Sequence, residues 1–142
     1  MYREKILVIE LDNIQHRCDA IEECYEFMLA YAAQGIADDR ESRNGGQLRE
    51  LLAKAVDAAA GLPEAYTAMV AALDPVTSPK YLDFLGVLKA DATKALAAME
   101  LVLAQPRISS QLIDNLNASL HVRTLLTDVF LLDEILHLQR LV

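Results

Sequence analysis

The chain has 142 residues, 54% of them apolar and 24% charged, with a formal net charge of −8. That length suits one domain, and the apolar share supplies a core that needs no disulfide or metal to hold it. Lys and Arg form no run or stripe, which argues against duplex nucleic acid and anionic membranes as partners, and no stretch approaches the ~20 apolar residues of a membrane span.

Near the start, the apolar run Ile6-Leu7-Val8-Ile9 stops at Glu10 with no small-residue cleavage site after it. No secretory leader is expected. Cys18 and Cys24 on one helix would point about 120° apart, too far to bridge. Two free thiols without a leader point to a reducing cytoplasm. Cys18 falls on an apolar stripe and reads as a core residue.

Glycine and proline cluster at Gly35 to Gly46, Asp74 to Pro79 and Gln105 to Ser110. These breaks predict four helices, at about 3–33, 47–73, 79–104 and 110–141. In the first, Leu7, Leu11, Ile14, Cys18, Ile21, Tyr25, Met28 and Ala32 alternate in steps of four and three, a heptad seam. Gly35 suits the position past its end. The connection from Gln34 to Gly46 carries Asp38, Asp39, Arg40, Glu41 and Arg43 and reads as exposed and mobile.

The second helix has its seam at Leu48, Leu52, Ala55, Ala59, Leu62, Tyr66, Met69 and Leu73, with Asn44 as a candidate cap. The phase continues across Pro63, so a kink there is expected rather than a break. The third opens on Ser78-Pro79, a capping residue followed by proline at the first helical position, and Pro106 ends it. Its seam is Tyr81, Leu85, Leu88, Ala92, Ala95, Met99 and Val102. The fourth begins near Ser109, with Ile108 and Ile113 at the staple positions around the cap. Together these predict an all-α, antiparallel up-down-up-down four-helix bundle forming one domain over residues 1–142.

On the fourth helix, Asp114, Asn117, His121, Thr124 and Asp128 share a face that reads as solvated. The same face continues as Leu131, Ile135, Leu138 and Val142. The first helix also starts apolar on every side, including Ile6 and Ile9. In an antiparallel bundle these ends share one pole. An apolar pole made by both termini marks a protein–protein contact, with a two-fold homodimer as the default.

Chemistry-bearing motifs are sparse. Glu134 and His137 form a Glu-x-x-His pair, spaced to hold one metal ion from one helix face. The pair resembles one half of the metal motif in ferritin-like di-iron carboxylate proteins, which implies a matching half elsewhere. That half is absent: Asn13 and Ala118 stand three residues before His16 and His121. The acidic turn Glu22-Glu23-Cys24-Tyr25-Glu26 resembles the first magnesium motif of all-α nucleotide pyrophosphohydrolases. The second motif of that family is missing, with Ala53 and Thr67 three residues after Glu50 and Glu64. A metal-binding bundle, di-iron-like or magnesium-dependent, would use Glu134, His137, Glu22 and Glu26.

His16 lies between Asp12 and Asp19 on a face turned from the seam and reads as a surface pair. Tyr25, Tyr66 and Tyr81 lie on three seams and could line a small-ligand cavity, though packing is the commoner role of such a stripe. No phosphate loop or nucleophile motif is present, and no cofactor is called for. The residues favour a non-catalytic interaction, adaptor or assembly protein. It would work as a homodimer, with room for another protein partner.

Overall fold

A computed structural model describes residues 2–72 and 78–138, excluding the side chains of Arg3, Ser78, His137 and Leu138. The described residues are helical, with no strand among them: α1 (Tyr2–Ala32), a 3-10 turn (Asp39–Glu41), α2 (Arg43–Ala71), α3 (Ser78–Leu103), α4 (Ser110–Ala118) and α5 (His121–Leu138). α1 packs on α2, α4 and α5, and α3 packs on α2, α4 and α5.

Among the described residues, the expected seams of α2 and α3 lie in the core, while Leu73, the last of the α2 seam, falls outside the described residues. Leu48, Leu52, Ala55, Ala59, Leu62, Tyr66 and Met69 of α2 are buried, as are Tyr81, Leu85, Leu88, Ala92, Ala95, Met99 and Val102 of α3. In α1 the stripe drifts. Ile14, Cys18 and Ile21 are buried, but Cys24 and Tyr31 then replace Tyr25 and Ala32 as the innermost residues. One position is about 100° of turn, and the side of α1 that turns inward here meets the α3–α4 connection, where Tyr31 bonds to the Ile108 carbonyl.

The single fourth helix expected over 110–141 is two helices, and residues 139–142 lie outside the described part. The break is local. Ser119 caps α4, and its hydroxyl donates to the Leu116 carbonyl at 2.6 Å, competing with the backbone ladder. Leu120 then takes a left-handed φ of 65° before α5 begins. Helical phase does not carry across that turn. Asp128, expected on a solvated face in line with Asp114, is instead buried against α3.

The first connection is largely exposed, as expected, but two of its aspartates turn inward, and α2 starts at Arg43 rather than Gln47. Ser42, not Asn44, is its cap, accepting from the Asn44 N–H at 3.2 Å. Asp38 and Asp39 are buried. Gly35 at φ 67° ends α1 as expected. α2 runs unbroken through Pro63. One turn before it, the Arg17 guanidinium donates to the carbonyls of Asp57 and Ala58 at 3.0 and 3.4 Å.

Candidate functional site

Most buried polar side chains tie one element to another. At the end where the α1–α2 connection meets the α3–α4 connection, the Asp39 carboxylate accepts from the backbone N–H of Ile108 at 2.6 Å and from the guanidinium of Arg49. Arg49 also donates to the carbonyls of Leu103 and Gln105 at 3.1 and 2.8 Å, which closes the C-terminal end of α3. Burial pushes the Asp39 carboxyl up, but Arg49 and the Ile108 N–H outweigh it and hold it below the usual carboxylate range.

Beside it, Tyr31 Oη donates to the Ile108 carbonyl at 2.7 Å. Ser110 Oγ donates to the Tyr31 carbonyl at 2.7 Å and accepts from the Ile36 N–H at 2.9 Å. The Ser110 N–H returns a bond to the Ile36 carbonyl at 2.8 Å. Asp38 holds the Arg40 guanidinium at 2.7 Å, and that pairing lowers its carboxyl to about 2. Gly45 is required here, because a β-carbon on it would run into the Asp39 carbonyl.

A second buried group joins α1, α2 and α5. Tyr66 Oη donates to Asp133 Oδ1 at 3.3 Å, and the Cys18 thiol lies against the same hydroxyl. Burial, helped by Asp133, pushes the Cys18 thiol up to about 12, and burial pushes Cys24 to about 12 as well. Thiols held so high stay protonated at neutral pH and make poor nucleophiles. Burial also raises the Asp133 carboxyl, against the Tyr66 hydrogen bond and with help from Asp19 and Glu22.

Glu134 and Glu26 are exposed and Glu22 is half-buried. The His137 side chain lies outside the described residues. Among the described residues, no group of three or more His, Cys, Asp or Glu is placed to hold a metal ion. His16 and Asp12 form the expected surface pair at 3.7 Å. Of the three seam tyrosines, Tyr66 is bonded to Asp133, Tyr81 has a buried hydroxyl without a hydrogen-bond partner, and Tyr25 is half-buried on the core.

The apolar surface residues are clearer. Leu7 and Leu11 of α1 pack on the core, while Val8 and Ile9 stay 67% and 65% exposed, beside a shallow groove of about 390 Å³ that they line with Glu4 and Lys5. Ile6 is half-buried. On α5, Leu131 is exposed and Ile135 half-buried. Ile135 follows Asp128 by two turns and so shares its α3-facing flank, whereas Asp133 sits about 140° round, towards α1. Leu131 and Ile135 therefore sit on the side of α5 turned away from Asp133. Leu138 and Val142, the other two expected interface residues, lie outside the described side chains. No helix among the described residues is long and apolar enough to cross a membrane.

Sequence reasoning missed Asp39, Arg49, Tyr31, Ser110, Asp128 and Asp133. The available signal was weak: Asp39 and Arg49 are ten residues apart across a glycine pair, and nothing local marks them as partners. No family model matches the chain, and no curated protein or solved structure matches it either.

Proposed function

We propose that this chain is a non-catalytic helical-bundle interaction protein that self-associates as a homodimer through an apolar pole. The start of α1 and the end of α5 supply that pole, with Ile6, Ile9, Leu131, Ile135, Leu138 and Val142 as its residues. The observation that carries the reading is the run Ile6 to Ile9 of α1, where four successive apolar side chains span the helix and only Leu7 packs on the core. A helix apolar all round needs cover on every side, and a second copy is the simplest source of it.

The reading includes one antiparallel four-cornered domain, with α4 and α5 together as the fourth corner. Supporting it, Asn44 donates to Gln34 while Arg17 reaches Asp57, so contacts climb α2 as they descend α1. Asn117 of α4 meets the Met28 carbonyl, while Asp133 of α5 is near Asp19 and Glu22. That order supports a reading in which the end of α5 lies towards the start of α1. A cytoplasmic location follows from two free, buried thiols.

The test is the mass of the purified chain in solution, for the wild type and for an Ile9→Glu variant. A wild-type dimer that Ile9→Glu converts to a folded monomer supports the reading. A monomeric wild type, or a dimer unmoved by Ile9→Glu and by Leu131→Glu, refutes it.

A further inference from the structure

Two carboxyl groups from different helices meet where α3 packs on α5. Asp128 of α5 is only 9% exposed, and its Oδ2 is buried without a hydrogen-bond partner. The half-buried Asp91 of α3 lies within hydrogen-bonding reach of the Asp128 carboxyl. Neither takes part in an ion pair among the described residues. The other charged and titratable groups on these elements are Lys80, Asp83, Lys89, Lys94 and Glu100 of α3, His121, Arg123 and Glu134 of α5, and Asp114 of α4, and of these Arg123 lines a shallow surface groove with Asp128. α1 faces the other flank of α5, with Asp19 and Glu22 beside Asp133.

Ionised carboxylates only accept hydrogen bonds. A bond between Asp91 and Asp128 therefore needs one proton between them. Without it, a buried oxygen has no donor and two negative charges face each other at the helix contact. We propose that Asp91 and Asp128 share one proton across the α3–α5 contact and form a pH-responsive latch, closed while the proton is bound and loosened when it leaves.

Burial first, and the Asp91 carboxyl second, push the Asp128 carboxyl up to about 7. An unfolded aspartate ionises near ~3.9. The folded value is the higher one, so the latch contributes fully below about pH 4 and is lost as pH rises through about 7. The latch would thus respond in the neutral range.

The experiment uses the full chain. Carboxyl carbon shifts of the aspartates are followed by NMR across pH, together with amide hydrogen exchange of α5, in wild type, Asp91→Asn and Asp128→Asn. One aspartate resonance titrating near neutrality and lost in Asp128→Asn is expected. So is a drop in wild-type α5 protection of up to about a hundredfold between about pH 5 and pH 8, after correction for intrinsic rates. Asp91→Asn, which keeps a hydrogen-bond partner without a titrating pair, should flatten that drop. If both carboxyls titrate below about pH 5 in the wild type, the proposal fails, and this readout does not depend on either variant folding. A wild-type pH response retained unchanged in Asp91→Asn also overturns it.

Discussion

Replacing Asp39 with Ala removes the acceptor at the centre of the α1–α2 connection. The change leaves the buried N–H of Ile108 without its 2.6 Å partner, a loss of about 1–3 kcal/mol. It also strips Arg49 of its counter-charge. Breaking a fully buried pair costs about 3–5 kcal/mol. Here the Arg49 side chain is 31% exposed and keeps the carbonyls of Leu103 and Gln105, so its share falls well below that range. The combined loss is about 3–4 kcal/mol, a large part of the ~5–15 kcal/mol that holds a typical domain. Urea unfolding followed by far-UV circular dichroism measures it, with the exposed Glu41→Ala as a control expected within ~0.5 kcal/mol of wild type. The acid limb gives a second readout. Asp39 is held below the usual carboxylate range, so its contribution is present above the unfolded value and disappears as pH falls through the folded one. Asp39→Ala should therefore unfold less steeply with acid than wild type. A loss under about 1 kcal/mol, or an unchanged acid limb, would show that the connection is held by something other than this carboxylate.

Three further outcomes follow from individual positions. Gly45→Ala, which drives a β-carbon into the Asp39 carbonyl, should lose at least ~2 kcal/mol, while the adjacent Gly46→Ala, with open space around it, should gain ~0.5–1 kcal/mol; thermal unfolding of the two separates backbone clash from helix propensity. Leu120→Asn should raise the melting temperature by relieving part of the ~1–2 kcal/mol cost of a left-handed leucine, whereas Leu120→Val should lower it. Cys18 and Cys24 are 3% and 0% exposed, with thiols near 12, so a thiol reagent at neutral pH should label neither until the chain is unfolded in urea. Prompt labelling of the native chain would contradict the packing of α1.

The apolar periodicity made the core legible from sequence. Seam residues such as Leu52, Leu62, Leu88 and Met99 are fully buried because a 3.6-residue repeat leaves them no other side to face. What escaped was whatever depends on one polar group finding another far along the chain. Asp39 and Ile108 are 69 residues apart, and Tyr66 and Asp133 are 67 apart. Charge alone made Asp38 and Asp39 look solvated, because burial of an aspartate is favourable only with donors that a linear reading does not place beside it. The split between α4 and α5 was hidden because Ser119 and Leu120 are ordinary residues in a helix. The break is set by a hydroxyl bonding back to the Leu116 carbonyl and by the packing of α5. The exposed apolar pair Val8 and Ile9 was legible as part of an apolar run, but which flank of α5 carries Leu131 and Ile135 depends on a break that periodicity does not show.

The central claim is that the exposed apolar start of α1 is covered by a second copy of the chain. Light scattering on the purified protein, across a dilution series, tests it most directly. The account predicts a wild-type dimer, and for a Val8→Glu, Ile9→Glu double variant a monomer with unchanged helical content. A wild type that remains monomeric at every concentration would contradict it.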